Sequence, residues 1–341
     1  MATQQDEGGV PFAIAHEMQR FRLFELPPEI VELIDAPNPP LLSIKSQAVS
    51  SAPNAKPAYA VLCAPNATFS LRQVQTSNTL LITQPALEAH GNDIPIPVTR
   101  AIASCTATLE LHPSDASVVS LLQEQLPLYH ASPGDFDAGG NRKSREAIFD
   151  DVPLSEGQCQ SGWNELMAFE HDGGSWQPSP DALAQVWRSI NAAALAEGVK
   201  LDSQFLMDDI MRAVAEEGHP IGLVKAILIR LSSEGEDISG PWCSLDRGKT
   251  VAFAGKTLLE AREGSDFLIA EFTDSWEDTL PEAWRKDAQL SAIDGLYQFP
   301  SETTVRAKNS ANARFTDKAP STGAKPAARK WHEKFGKTRK K

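Results

Sequence analysis

The chain has 341 residues, 41% of them apolar and 23% charged, an ordinary globular composition long enough for two or three domains. It contains no run of 18 apolar residues, so a membrane-spanning helix is not expected. The net charge of −13 is uneven: residues 301–341 hold 12 Lys+Arg against 3 Asp+Glu, and residues 1–300 hold 20 against 42. A body at −22 does not coat DNA by bulk charge, whereas a tail at +9 suits nucleic acid or a nuclear address. Asp6 and Glu7 interrupt the first dozen residues, so no secretion signal is expected there. Cys63, Cys105, Cys159 and Cys243 are 42, 54 and 84 residues apart, which fits neither a metal knuckle nor a dense disulfide framework. They read as buried, reduced thiols of a cytosolic or nuclear protein.

Residues 1–20 read as a disordered start. Phe21 to Leu26 then leads into Pro27-Pro28 and the apolar residues Ile30 to Ile34, a short helix opened by proline. Leu41 to Lys45 reads as a strand and Ser46 to Lys56 as a loop. Tyr59 to Cys63, a turn at Ala64 to Ala67, and Thr68 to Val74 form a hairpin, and Thr79 to Thr83 is a further strand. Ser104 to Leu111 alternates strictly, with Cys105, Ala107, Leu109 and Leu111 on one face. Residues 21–130 therefore read as an antiparallel β domain, closed by a helix from Pro113 through Leu126. Such a sheet must cover its edges or lend them to a partner. The apolar residues Val61, Phe69, Leu71, Leu80 and Leu109 are the candidates for a partner interface.

Pro133, Gly134, Gly139 and Gly140 place a linker at 131–143. Beyond it helices alternate with short hairpins. In a first unit, 144–178, helices at Ser144–Phe149 and Ser155–Phe169 precede a small wing at Gly173 to Trp176. In a second, 179–254, Ser179 caps a helix that Gly198 stops. Further helices run from Ser203 to Glu217 and from Pro220 to Leu231. A hairpin follows, with Trp242 to Leu245, a turn at Asp246 to Lys249, and Thr250 to Phe253. Helices followed by a hairpin is winged-helix order. A partial third unit covers 255–300, with helical patterns ending at Tyr297 to Phe299. Residues 301–341 form the basic tail, expected to be disordered, where Trp331 and Phe335 stand four apart.

Catalytic chemistry is not legible. Both GKT tripeptides lack the glycine a phosphate loop needs five residues upstream, where Cys243 and Thr250 stand. No two of the seven histidines lie three or four apart, and no nucleophile, base and orienting group assemble from the pattern. No enzyme, cofactor or metal is expected. In the second unit Lys225 and Arg230 on a helix, and Arg247 and Lys249 on the wing, are candidates for contacts to DNA phosphate. Arg329, Lys330, Lys337 and Arg339 join them from the tail.

The sequence Phe21-Arg22-Leu23-Phe24-Glu25-Leu26-Pro27, followed by Ala60-Val61-Leu62-Cys63, Thr68-Phe69-Ser70-Leu71-Arg72 and Thr76-Ser77-Asn78-Thr79-Leu80-Leu81, resembles the Dcc sister-chromatid-cohesion family. Ile148 to Ser155 with Gly162-Trp163, and Phe272 to Trp276 with Leu280 to Trp284, resemble its fungal branch. The resemblance spans about residues 20–300. It implies a non-catalytic subunit of the alternative, replication-factor-C-like clamp loader, acting in the nucleus in sister chromatid cohesion and DNA replication. The implied partners are the loader's large ATPase subunit, its small subunit, the leading-strand polymerase and DNA, bound weakly and without sequence preference. The expected fold is α+β, a partner-completed β-barrel domain followed by tandem winged helices. A stand-alone winged-helix transcription or chromatin factor is the alternative.

Overall fold

The computed structural model describes residues 11–46, 59–89, 94–131, 142–233, 240–262 and 264–308. It is a mixed α+β protein with an N-terminal curled sheet and a helical region. The sheet elements are β1 (Phe12–Ile14), β2 (Leu23–Glu25), α1 (Pro28–Ile34), β3 (Ser43–Ser46), β4 (Ala60–Cys63), β5 (Thr68–Glu88) and β6 (Ile96–Pro113). The order is β1-β6-β5-β4-β3, with β2 also on β6. β1 and β2 line successive stretches of one edge of β6, both parallel to it. β5 and β6 form a long antiparallel pair. The register slips between Gln75 and Leu80 and again between Ile82 and Thr83. Such bulges bend a strand and deepen its twist, which accounts for the curl. Pro28 opens α1 at a position whose N–H needs no partner, and α1 buries Ile30 against Leu62, Ala64, Phe69 and Leu111.

Three groups of helices follow, each in one order. The first is α2 (Val118–Gln125), β7 (Leu128–Tyr129), α3 (Arg145–Asp151), α4 (Glu156–Glu165), β8 (Phe169–His171) and β9 (Gly174–Pro178). The second is α5 (Pro180–Ala196), β10 (Phe205–Leu206), α6 (Met207–Glu216), α7 (Ile221–Leu231), a bridge from Ser232 to Leu245, and β11 (Trp242–Cys243). The third is α8 (Arg247–Glu260), β12 (Phe267–Leu268), α9 (Ile269–Asp278), two 3-10 turns at Glu282–Asp287 and Leu290–Ile293, β13 (Tyr297–Ser301) and β14 (Thr304–Ala307). In each group the two-residue strand after the first helix pairs with the last strand: β7 with β9, β10 with β11, β12 with β14. The first pairing is parallel and the other two antiparallel.

The last strand of one group runs straight into the first helix of the next. The junction residue is a helix cap each time: Ser179 accepts from the Ala182 N–H, and Asp246 from the Lys249 N–H at 2.7 Å. The second and third groups consequently share one core, in which Trp187, Ile190, Ile210, Leu223, Phe272 and Trp276 are almost fully buried.

Several expectations are corrected. Residues 247–260 are helix α8, not the return strand of a hairpin. Asp246 is a helix cap rather than a turn residue, and Val251, Ala254, Thr257 and Leu259 are buried at helical spacing. The second group's hairpin closes earlier, at Ser232 and Leu245. The first helical group begins before residue 144: Leu122 and Leu126 of α2 share a core with Phe149, Leu154 and Trp163. α2 itself starts at Val118, because Ser117 caps it and β6 runs on to Pro113. The third group does not end at 300. Val305 and Ala307 of β14 are buried in the main core. The start is not disordered throughout, since β1 lies within 1–20. Strands 68–74 and 79–83 are one strand, β5. The helices drawn from Ser155 to Phe169 and from Ser203 are shorter, ending at Glu165 and beginning at Met207. Most of the 46–56 loop, most of the 131–143 linker, and the tail from Asn309 on lie outside the described residues.

Sheet and helices meet at Lys45 of β3. Its ammonium donates to the carbonyls of Phe149 at 2.6 Å, Leu154 at 2.9 Å and Val152 at 3.3 Å, at the end of α3 and just beyond. A cation there also faces the negative end of the helix. Beside it the Ser155 N–H donates to the Thr68 hydroxyl at 2.8 Å, and the Gly157 N–H to the Pro65 carbonyl at 2.9 Å. A Cβ on Gly157 would stand 2.8 Å from that carbonyl, so glycine permits the close approach.

Candidate partner-binding surfaces

β4 pairs with β5 only from Thr68 to Ser70. From Leu71 to Glu88 the second edge of β5 has no strand neighbour among the described residues. β5 and β6 thus form an arm paired along one side of β5 only. Its faces are open as well. Neighbouring residues of a strand point to opposite faces, yet Leu80 and Leu81 are both nearly half exposed, at 46% and 47%. Leu87, Ile94 and Ile96 are exposed further along the arm, as are Phe12 and Ile14 on β1 and Ile44 on β3. An Arg100–Glu88 ion pair of 2.8 Å joins the two strands of the arm. Apolar side chains along a twisted strand edge of this kind suit the addition of another strand.

The sequence candidates divide. Leu80 lies on the arm and is exposed. Leu71 is half buried against the small core under α1, and Leu109 is half buried on β6. Val61 and Phe69 are not surface residues. β3 and β5 flank β4, α1 covers the Phe69 side, and each residue is 7% exposed. Sequence reasoning missed Leu81, Phe12, Ile14 and Ile44. The alternation Phe12-Ala13-Ile14 was a signal, too short to stand out.

The cations also divide. Lys225 and Arg230 are exposed on α7, one on each side of its buried stripe. Arg247 and Lys249 are not on a wing. They sit in the first turn of α8, where Arg247 pairs with Asp287 and donates to the Ala283 carbonyl at 2.9 Å. Lys249 donates to the Ser232 carbonyl at 3.1 Å. The six residues joining Ser233 to Gly240 lie outside the described ones and carry Glu234, Glu236 and Asp237 with no cation. Arg329, Lys330, Lys337 and Arg339 fall outside the described residues.

All four cysteines are buried thiols. Burial pushes Cys159 up to about 11, overriding the nearby Lys45 charge, and it raises Cys63 despite a hydrogen bond from Thr68. Both stay protonated and poorly nucleophilic at neutral pH. Burial, with Asp172 adding to it, also raises the Tyr129 phenol. Glu146, in the first turn of α3, is lowered by its own backbone N–H and then by Ser144. No group of three or more metal-ligating side chains occurs among the described residues, and none of their helices is long and apolar enough to cross a membrane.

The structure thus joins a long two-stranded arm, with exposed apolar side chains among the described residues, to three helical groups of one recurring order. Residues 21–312 match the model of the sister chromatid cohesion protein Dcc1, and the chain belongs to that family. It is a non-catalytic accessory family with a role in sister chromatid cohesion, in partnership with a clamp-loader-like complex. No curated protein matches the chain in a sequence comparison.

Proposed function

We propose that the chain is the accessory subunit of an alternative, replication-factor-C-like clamp loader in the nucleus. Its curled sheet is completed there by strands from the loader's large ATPase subunit and small subunit. The open edge of β5 from Leu71 to Glu88, with Leu80 and Leu81 exposed on opposite faces, carries this reading. Backbone groups of that edge supply affinity, and the apolar side chains supply register.

The helical groups are read as three winged helices. The recurrence of helix, short strand, helices and hairpin, with the short strand returning to the hairpin, supports this. They serve to dock the leading-strand polymerase and DNA. The DNA contribution rests on Lys225 and Arg230 with the basic tail. Contacts of that kind are to phosphate, so binding is weak, tolerant of sequence and steep in salt.

The test is co-purification of the full chain with the two loader chains after Leu80→Asp and Leu81→Asp. Capture should be lost, because a carboxylate would be buried without a partner. Unchanged capture by a folded double variant overturns the shared sheet.

A further inference from the structure

Six of the seven tryptophans lie among the described residues, and five of these are no more than 8% exposed. Trp242 is 51% exposed. It stands on β11 directly opposite Leu206 of β10, itself 36% exposed, with exposed Pro241 beside it. The Met207 N–H donates to the Pro241 carbonyl at 2.9 Å, which fixes this strand pair to the start of α6. The next residues of α6, Asp208 and Asp209, are exposed, and Arg212 reaches Asp209 only at 3.9 Å. Neither strand, nor the residue on either side of each, is a lysine or arginine. The result is an exposed aromatic and aliphatic pair, followed along the chain by two exposed carboxylates. Its complement is a peptide carrying aromatic side chains among cations.

The chain contains one. Residues 329–341 have Lys or Arg at seven of thirteen positions and one carboxylate, Glu333, with Trp331 and Phe335 four apart. We propose that this segment docks in cis on the Leu206–Trp242 pair. Trp331 and Phe335 lie against the apolar pair, and the flanking cations face Asp208 and Asp209.

Reach is not limiting. Twenty residues separate Lys308 from Arg329, and at about 3.3–3.6 Å each they span up to about 70 Å. A tethered ligand sees its site at an effective concentration of order millimolar, so even a weak contact is well populated. The tail's cations are then held on the acidic body until a polyanion competes for them. This accounts for a body at −22 and a tail at +9 in one chain.

The test places the photo-cross-linking residue benzoylphenylalanine at position 242 of the full chain, where half exposure tolerates it. Illumination should yield monomeric adducts between position 242 and residues 329–341, identified by mass spectrometry. Yield should fall about tenfold in Asp208→Asn/Asp209→Asn, and by as much in Trp331→Ala/Phe335→Ala, corresponding to about 1.4 kcal/mol. It should also fall as salt rises from about 0.1 to about 1 M, over which the screening length shrinks from about 10 to about 3 Å. Far-UV circular dichroism matching the parent shows that each variant is folded. Adducts confined to other segments, adducts only between two chains, or an unchanged yield in folded Trp331→Ala/Phe335→Ala overturn the proposal.

Discussion

The curled sheet and the helical region treat apolar residues in opposite ways. Of the twelve largest side chains that are almost fully buried, only Ile30 belongs to the sheet region; the rest, Trp187, Phe272 and Trp276 among them, lie in the helical region. The exposed large apolar residues lean the other way, with Phe12, Ile14, Leu41, Ile44, Leu80, Leu81 and Leu87 all in the sheet region. A helix closes its own backbone hydrogen bonds and needs to bury only one stripe. A strand at an edge leaves both backbone and side chains wanting a neighbour. The helical region buries its large side chains against one another, while the sheet region leaves many of its large apolar side chains exposed.

The largest expected effect sharpens the far end of the helical region. A chain cut after Pro300 loses β14, and with it Val305 and Ala307 from the core. Denaturant unfolding should show a loss of about 3–5 kcal/mol, the scale of a large core deletion. A chain cut after Lys308 should unfold like the parent. Equal unfolding of the two would mean that β14 contributes nothing.

One substitution in each region then gives opposite readouts. A Cβ at Gly255 of α8 would stand 2.4 Å from the Trp276 ring, so Gly255→Val should cost about 1–3 kcal/mol by overpacking, measured by thermal melting. Leu81→Asp should leave the melting of the isolated chain within about 0.5 kcal/mol of the parent, as at other exposed sites, while abolishing capture of loader chains. A melting loss at Leu81 as large as that at Gly255 would erase the distinction between the regions.

Between the two lies Lys45. Lys45→Met removes three hydrogen bonds to carbonyls and should cost about 1.5–3 kcal/mol, the range for a bond to a charged group. Hydrogen exchange should quicken in β3 and β4 before it does in α5. Uniform quickening would show that sheet and helices unfold as one unit.

A smaller effect follows from the buried thiol. Cys159 shifts from 9.0 unfolded to about 11 folded, so the native state holds its proton more tightly. Its contribution is complete below pH 9 and is lost as pH rises toward 11. Unfolding free energy should decline over that window, and Cys159→Ser should flatten the decline. The smallest effect concerns α7. Lys225→Gln and Arg230→Gln should each reduce the slope of log K for DNA against log salt by about 0.9, with no change in base preference. Arg247→Gln should change it less, because Asp287 already takes that charge.

Local chemistry was readable where one residue type has one local solution. Ser144, Ser155 and Ser179 cap helices, Pro28 opens one, and the period-two run through Cys105 lies in a strand. The family was readable too, because short motifs such as Leu23-Phe24-Glu25-Leu26-Pro27 recur as an ordered set. Exposure was not readable: apolar character marked Val61, Phe69, Leu71, Leu80 and Leu109 alike, yet Val61 and Phe69 are buried by α1 and the flanking strands, Leu71 and Leu109 are half buried, and Leu80 is exposed.

Where two solutions compete, the sequence by itself stops. Asp246-Arg247-Gly248-Lys249 suits a turn or a helix start, and what decides is whether Val251 and Ala254 find a core to enter; α5 and the 3-10 turns supply it. Strands two residues long carry no periodicity, so β7, β10 and β12 exist only because a hairpin from later in the chain pairs with them. Sequence determined which segments fold locally, through caps, turns and hydrophobic period. The tertiary structure decided which apolar residues are covered and which are left exposed, because burial depends on neighbours far away in sequence.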